Sequence, residues 1–375
     1  MAASLSRFQG ALVGGVIGDC LGSEFEALWG QKIGIGKVMS FIMKVEDDYV
    51  KTGNKKHRRN LIEFTDDTAM ARSVTKSLIQ NRGLHERDMA KRFTEEYLRE
   101  PGRGYGGSVA TVFRSLADTN YADIYGPARA QFDGQGSYGN GGAMRISPAG
   151  VFSCRCNLDM QKLKEMSDKI TMITHSNIQA IQGAFLQCYA VQLALRMEKL
   201  DTNKFIDELI TTMETVEKES KGHECDDRPG TDVSTTTDDA ESGTGDNKST
   251  QTFCHRLNKI KEFINRDEQP QDTEVQTVFK FDISALDAVP AAIYCFLQST
   301  KKIRDLEDRN EFERTIIYSI SLGGDTDTIA SMAGSIAGAW YGIELIPASW
   351  QHCSEGAYEA LKDAKEMFNL KMENI

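Results

Sequence analysis

Apolar residues recur three and four positions apart along most of this chain, which is the spacing that lines one face of an α-helix. Five stretches show it most clearly: residues 65–81, 86–100, 178–195, 284–300 and 326–342. Strict alternation of apolar and polar residues, the mark of a half-buried strand, is almost absent. The pattern therefore predicts an all-α fold, a single compact domain of residues 1–375 with about a dozen helices in an orthogonal-type multi-helix arrangement.

Small residues recur at helical spacing near both ends of the chain. They are Gly10, Gly14, Gly18 and Gly22 in the first helix and Ala330, Gly334 and Ala337 in the last strongly apolar one. Glycine inside a helix costs about 1 kcal/mol relative to alanine, so its repeated use needs a compensating benefit. We expect these two helices to pack with their backbones unusually close to a neighbour.

One segment, residues 219–250, breaks the helical pattern because it is rich in Ser, Thr, Gly and Asp and nearly free of large apolar residues. The overlapping stretch 214–249 holds eleven acidic and four basic residues and so carries most of the formal net charge of −11. Such a composition cannot offset its ordering entropy by burial. It predicts a disordered acidic insertion within the domain, and the basic run at 55–59 fits either a surface loop or a nuclear address.

Composition narrows the class of protein further. With 375 residues and 40% hydrophobic content, the chain can bury a large core, and its eight scattered cysteines are typical of reduced thiols. Cys154 and Cys156 could supply half of a zinc site, but no second cysteine pair or histidine pair completes it, so the sequence does not predict zinc. No apolar run is long enough for a membrane span, and the first residues lack a secretory signal, so we expect an intracellular protein without a membrane partner. Because the acidic residues are concentrated in one segment, the net charge does not exclude phosphate-bearing ligands.

Two helix starts are unusually rich in oxygen ligands. "TDDT" at 65–68 and "GGDTDT" at 323–328 each open an apolar helix. Helix capping explains one such motif, but neither helix needs two carboxylates for it, and buried carboxylates repel each other unless a cation neutralises them. If the two starts face each other, six side chains surround one point: Thr65, Asp66, Asp67, Asp325, Asp327 and Thr328.

An all-oxygen ligand set of this kind favours a hard cation such as Mg²⁺, with manganese or calcium as substitutes. Four aspartates carry too much charge for one ion, so the motif predicts a binuclear site with two Mg²⁺ ions at the helix N-termini. Asp19 could support this site from behind or be a hydrogen-bonded helix residue. Glu24 and Glu26 follow it and could reach the ions or be solvated loop acids.

A glycine-rich loop at 132–150 is the second concentrated signal. Gly134 to Gly139 match GxGxxG, but no βαβ unit surrounds them, and Asn140 stands where a phosphate-binding Walker loop has lysine. Closely spaced glycines still expose backbone N–H groups to a phosphate or diphosphate. Ser137 adds a donor, while Phe132 and Tyr138 could stack on a base. The alternative interpretation of this loop is a flexible glycine turn, and the same two interpretations apply to the weaker glycine loop at 103–108. His175, at a predicted helix boundary, is either a ligand contact or a structural histidine.

Taken together, "TDDTAM" at 65–70, "GSYGNGGAMR" at 136–145 and "SLGGDTDTIA" at 321–330 resemble the ADP-ribosylhydrolase (ADP-ribosyl-acceptor hydrolase) family, most nearly its vertebrate serine-specific branch. The resemblance runs through nearly the whole chain and departs from it mainly at the insertion. It implies that Thr65, Asp66, Asp67 and Asp327 bind one magnesium ion, and that Asp325, Asp327, Thr328 and Glu26 bind the other.

The same resemblance implies the substrate site and the catalytic groups. Glu26 corresponds to a mobile glutamate that covers the metal site in the free enzyme, and Glu26, Asp66 and Asp67 are the catalytic residues. The implied substrate-binding residues, with Phe132 added from its position in the loop, are Asp67, Gly104, Gly106, Gln135, Gly136, Ser137, Tyr138, Gly139, Asn140, Gly141, His175 and Ile283.

The activity implied is magnesium-dependent removal of ADP-ribose from serine residues, together with cleavage of poly(ADP-ribose) and O-acetyl-ADP-ribose. Its partners would be ADP-ribosylated proteins and poly(ADP-ribose), with a role in the DNA-damage response. We expect a monomer without direct nucleic-acid contact, in the nucleus and cytoplasm; the mitochondrial matrix is a second location, although no transit peptide is evident. Two alternatives stay open: a non-catalytic ADP-ribose-binding or crystallin-like relative, and a magnesium phosphohydrolase.

Overall fold

The computed structural model describes residues 4–28, 33–52, 61–199, 201–223 and 252–371. These ranges contain seventeen α-helices and no named strand; the pairs Ile62–Ser354 and Gly139–Ser284 form isolated β-bridges. The helices are α1 (Leu5–Glu26), α2 (Ile35–Thr52), α3 (Asp66–Asn81), α4 (Glu86–Arg99), α5 (Gly107–Asp118), α6 (Gly126–Arg129), α7 (Ser147–Cys156), α8 (Met160–Met172), α9 (Ile178–Arg196), α10 (Thr202–His223), α11 (Phe253–Ile264), α12 (Asp272–Phe279), α13 (Ala285–Gln298), α14 (Glu311–Ser321), α15 (Thr326–Tyr341), α16 (Ala348–Cys353) and α17 (Ala357–Phe368).

The all-α prediction is confirmed, and each of the five periodic stretches coincides with a helix to within two residues at either end. Helix α10 continues to His223, so the first five residues of the predicted acidic insertion are helical. The rest of that segment, and the basic run at 55–59, lie outside the described residues. None of the described helices is both long and apolar enough to cross a membrane.

Local capping sets several helix boundaries. The side chains of Asn177 and Ser284 accept hydrogen bonds from the first turns of α9 and α13. Asn310 and Glu313 form a reciprocal capping box at the start of α14, with bonds of 3.0 and 2.9 Å. These groups satisfy backbone donors that a helix start leaves unpaired, so the boundaries follow from short-range sequence.

The centre of the molecule is the antiparallel pair of α1 and α15. Gly10 faces Gly338, Gly14 faces Gly334, and Gly18 faces Ala330, each so closely that an added Cβ would overlap a backbone carbonyl group of the other helix. The close packing expected from the small residues is confirmed, although Gly338, which the spacing did not single out, is the partner of Gly10. This pairing brings the end of α1 next to the start of α15, where the acidic motifs lie.

Candidate active site

The N-terminus of α3 is capped by a side chain from another helix. The carboxylate of Asp19 in α1, which is fully buried, accepts hydrogen bonds from the Thr65 N–H (3.0 Å), the Thr65 hydroxyl (2.9 Å) and the Thr68 N–H (2.9 Å). The Thr65 side chain makes no capping bond of its own. Because Asp19 satisfies the helix start, neither Asp66 nor Asp67 is needed as a cap.

The N-terminus of α15 faces that of α3. The Thr328 hydroxyl donates to Oδ2 of Asp67 at 3.1 Å, which joins the two acidic motifs across 261 positions of sequence. The Thr328 N–H bonds to the Asp327 carboxylate at 2.8 Å, and the Asn140 side-chain amide donates to Asp325 at 2.5 Å. The prediction that the two acidic helix starts meet is therefore confirmed.

The electrostatics of this cluster are unfavourable without a cation. Burial, followed by repulsion from Asp327, raises the pKa of Asp66, Asp67 and Asp325 well above the ordinary value. The pKa of Glu26, an exposed side chain on the last turn of α1, is raised by the same two causes. In the described ranges no Lys or Arg forms an ion pair with any of these carboxylates.

The donor set fits a hard divalent cation. Oδ1 of Asp67 is buried without a hydrogen-bond partner, and clustered carboxylate and hydroxyl oxygens are what Mg²⁺ prefers. The side chains as placed do not form a ready coordination shell, because no three His, Cys, Asp or Glu of the described ranges stand close enough to hold a metal. The binuclear centre therefore stays a prediction that rests on the chemistry of these oxygens.

A short segment, residues 281–285, holds the glycine loop beside the acidic cluster. The Asn140 N–H donates to the Ile283 carbonyl at 2.8 Å, and the Ala285 N–H donates to the Tyr138 carbonyl at 3.1 Å. On the other side, the Asp325 N–H donates to the Phe281 carbonyl at 3.0 Å. One stretch of backbone thus fixes the distance between the loop and the second acidic motif.

His175 lies against the glycine loop. A Cβ on Gly141 would lie 2.6 Å from Cε1 of the imidazole, so only glycine leaves room for the ring there. Burial, and secondarily the nearby positive charge of Arg145, lower the pKa of His175 to about 3. The imidazole is therefore neutral at physiological pH.

These elements surround a cavity of about 220 Å³. It is lined by fourteen of the predicted site residues: Glu26, Asp66, Asp67, Gly104, Gly106, Ser137, Gly139, Asn140, Gly141, His175, Ile283, Asp325, Asp327 and Thr328. The acidic cluster and the glycine loop thus form one site, and an acidic wall and a loop wall face the same space.

Five predicted residues do not line the cavity. Thr65 lies behind it, with its hydroxyl bonded to Asp19. Phe132 and Tyr138 are 54% and 52% exposed, and Gln135 is also exposed. Gly136 has a left-handed backbone (φ +70°) and packs against Ser176 and Asn177. Their predicted contacts with metal or substrate stay predictions.

The cavity also has walls that sequence reasoning missed. They comprise Met70, Tyr105, Ser108, Val109, Phe113, Met144 and Arg145. Two of them had a visible signal, because Tyr105 stands between two predicted glycines and Arg145 ends the motif that begins at the glycine loop. The apolar members gave no signal, since a residue that lines a cavity has the same spacing in sequence as one in the core.

The whole chain is similar to known proteins. A family model described as ADP-ribosylglycohydrolase matches residues 1–374. ADP-ribosylhydrolase ARH3 of Danio rerio is 41% identical over 367 residues, which cover 98% of this chain and 91% of that protein. ADP-ribosylhydrolase ARH3 of Homo sapiens is 40% identical over 360 residues, with 96% and 92% covered.

One solved structure, titled "ADP-ribosylglycohydrolase-related protein complex", aligns with 98% of this chain and 99% of its own chain. The TM-score is 0.60 at 21% sequence identity, so this likeness concerns the fold alone.

Proposed function

Because the chain belongs to the ADP-ribosylglycohydrolase family, we propose that it is a magnesium-dependent enzyme that removes ADP-ribose from serine side chains of modified proteins. It is a hydrolase that acts on ADP-ribose glycosidic bonds. The serine linkage, the cleavage of poly(ADP-ribose) and O-acetyl-ADP-ribose, and the metal requirement belong to the proposal.

The observation that supports the proposal most directly is the hydrogen bond between Thr328 and Asp67 at 3.1 Å, in a cavity that the glycine loop also lines. A ligand in this cavity would meet the carboxylates on one side and the backbone and Ser137 of the loop on another. ADP-ribose has this polarity, since its distal ribose carries hydroxyl groups and its diphosphate carries negative charge.

Two Mg²⁺ ions would be held by Asp66, Asp67, Asp325 and Asp327, with Thr65, Thr328 and Glu26 completing the set. When bound, they would neutralise the carboxylates, help to orient the distal ribose and lower the pKa of a water molecule. All these residues except Thr65 line the cavity.

The side chains of the protein then supply the groups that glycoside hydrolysis needs. Positive charge grows on the ribose ring as the serine oxygen leaves, and the nearby carboxylates stabilise it. The attacking water would be held by Asp66 or Asp67; Asp66 is partly exposed and lines the cavity, and Asp67 accepts a hydrogen bond from Thr328. Glu26 is exposed at the end of α1, where its side chain can move to admit substrate.

The substrate assignment is tested with peptides that carry ADP-ribose on serine, arginine or glutamate, each incubated with magnesium or with EDTA. We expect release of ADP-ribose from the serine peptide only, and only with magnesium. Release from arginine alone would refute the serine assignment, and equal release in EDTA would refute the metal assignment.

The residue assignment is tested with Asp66→Asn and Asp327→Asn, with Asp118→Asn as control. Asp118 ends α5 and is exposed, so its variant removes one carboxylate without touching the cavity. Both site variants should lose turnover while their helical circular dichroism is unchanged. Calorimetry with ADP-ribose separates an enzyme from a binding module: a wild-type protein that binds without any turnover would favour the module.

The expected partners are ADP-ribosylated proteins and poly(ADP-ribose). We also propose a monomer in the nucleus and cytoplasm, with the mitochondrial matrix as the second location. Light scattering and imaging of a tagged full-length chain test these two points.

A further inference from the structure

A buried arginine, Arg145, lies beside the glycine loop, and no carboxylate in the described ranges forms an ion pair with it. Arg145 is 1% exposed, and its guanidinium donates to the Gly141 carbonyl (2.7 Å), the Ile170 carbonyl (3.2 Å) and the Thr174 hydroxyl (2.6 Å). The group also lies 4.7 Å from the centre of the Phe93 ring. Arg145 thereby links the loop to the end of α8, immediately before His175.

The proton on Thr174 can be placed by counting donors and acceptors. Its hydroxyl oxygen accepts from Arg145, and among the described residues its one other side-chain hydrogen-bond partner is Nδ1 of His175 at 2.7 Å. Threonine has one hydroxyl proton, and a buried donor needs an acceptor. Nδ1 of His175 is the acceptor within reach of that proton, and it can accept only in the tautomer in which it carries a lone pair and no hydrogen.

The neutral imidazole then carries its proton on Nε2. This nitrogen faces the glycine loop: an added Cβ would lie 2.8 Å from it at Gly141 and 3.6 Å from it at Gly139. His175 also lines the cavity. In this tautomer the protein presents an N–H donor, and not a lone pair, on the loop side of the site.

We infer that Arg145 and Thr174 are positioning residues, which through the Thr174 hydroxyl hold His175 as the Nε2–H tautomer so that it donates to an oxygen of the bound ligand. The opposite tautomer would turn the Nε2 lone pair towards that oxygen and repel it, most strongly if the oxygen belongs to a phosphate. The ligand, the diphosphate part of ADP-ribose, rests on the proposed function, whereas the tautomer itself does not.

The tautomer is measured by nuclear magnetic resonance of protein labelled with ¹⁵N-histidine, since protonated and unprotonated ring nitrogens have different shifts. The chain has six histidines, and the His175→Gln variant identifies the signal. We expect a bare Nδ1 and a protonated Nε2 in the wild type at neutral pH. A proton on Nδ1 would overturn the inference.

Three variants test whether Arg145 and Thr174 position His175. Thr174→Val removes the hydroxyl with little change of shape, and we expect mixed tautomers and ADP-ribose binding weakened about tenfold, the effect of one lost hydrogen bond to a charged group. Thr174→Ser keeps the hydroxyl and should restore both. Arg145→Lys retains the charge but not the fork of donors, and should lie between them.

In kinetics, Thr174→Val should raise KM by a similar factor and leave kcat nearly unchanged, because His175 contacts the ligand away from the reacting atoms. If Thr174→Val had the wild-type tautomer of His175 and the wild-type dissociation constant for ADP-ribose, the positioning role of Thr174 would be refuted. It would also be refuted if Thr174→Ser did not have the wild-type values of both. If the wild type shows the expected tautomer but binds and cleaves no ADP-ribose, the proposed function fails while the assignment of the tautomer stands.

Discussion

Gly22→Ala is the substitution that most directly tests how the helix pair of α1 and α15 builds the site. A Cβ at position 22 would lie 2.5 Å from the Thr326 carbonyl oxygen, 2.6 Å from Cα of Asp327 and 2.8 Å from its nitrogen. All three atoms are backbone, so no side chain can rotate away. The first turn of α15 would have to move, and Asp327 would move with it.

The size of the effect follows from these distances. Nonbonded carbon atoms normally stay about 3.5–4.0 Å apart, so the overlap with Cα of Asp327 is about 1 Å. Overpacking of this kind costs about 3 kcal/mol at the upper end of its range, and alanine returns about 1 kcal/mol as the better helix former. We expect a net loss of about 2 kcal/mol in the free energy of unfolding, and a shift of about 1 Å at the site should slow turnover about 100-fold.

Two matched glycines separate the loss of stability from the loss of site geometry. Gly14→Ala meets Gly334 in the middle of the same helix pair, with the carbonyl carbon at 2.9 Å, so it should destabilise comparably but reduce turnover less. At Gly36 in α2 an added Cβ meets nothing within 4 Å, so Gly36→Ala should be neutral or slightly stabilising. Urea unfolding followed by circular dichroism gives the stabilities, and ADP-ribose release gives the rates.

If Gly22→Ala unfolded at the same urea concentration as the wild type and retained full turnover, position 22 would not set the distance between α1 and α15. A second contradicting result would be that Gly14→Ala lost as much turnover as Gly22→Ala at equal stability. That second result would mean that helix separation anywhere along the pair, and not displacement of Asp327, limits activity.

Three further substitutions test other parts of the site. Glu355→Gln breaks the 2.6 Å ion pair with Arg103, and the backbone carbonyl of Arg103 accepts a hydrogen bond from the Asp66 N–H at 2.7 Å. The free energy of unfolding should therefore fall by about 1–2 kcal/mol, and turnover should drop because Asp66 is less firmly held; unchanged urea midpoints would contradict this. Asp67→Asn removes a carboxyl group whose ionised form is destabilised by burial and by the neighbouring carboxylates. In EDTA the melting temperature of the variant should therefore exceed that of the wild type, although ADP-ribose release is lost; a lower melting temperature would contradict this destabilisation. His175 has a pKa of about 3 in the folded protein and 6.5 in the unfolded chain, so below pH 6.5 the unfolded chain binds more protons than the folded one. The free energy of unfolding therefore decreases as the pH is lowered, by about 2 kcal/mol near pH 5. His175→Gln should lack this component in urea titrations, and a pH dependence identical to that of the wild type would exclude it.

Short-range sequence determined the helical secondary structure, the close helix contact and the motifs of the candidate site. The helical period predicted the all-α fold and the helices that carry the site, because the side of a helix that is buried depends on residues three and four apart. The spacing of Gly10, Gly14, Gly18 and Gly22 predicted a close helix contact, because only a missing Cβ permits it. The acidic motifs at 65–68 and 323–328, together with the glycine loop, indicated the family that the full-length comparison then showed.

Only the tertiary structure decided which partner each group meets. The cap of α3 comes from Asp19, 46 positions before Thr65, and no local rule predicts a cap from another helix. The 281–285 segment and the Arg145–Thr174–His175 contacts depend likewise on distant stretches of chain that pack together. Periodicity and capping record interactions within a few residues, whereas a site made from residues hundreds of positions apart depends on how the helices pack, and that is settled by the whole core.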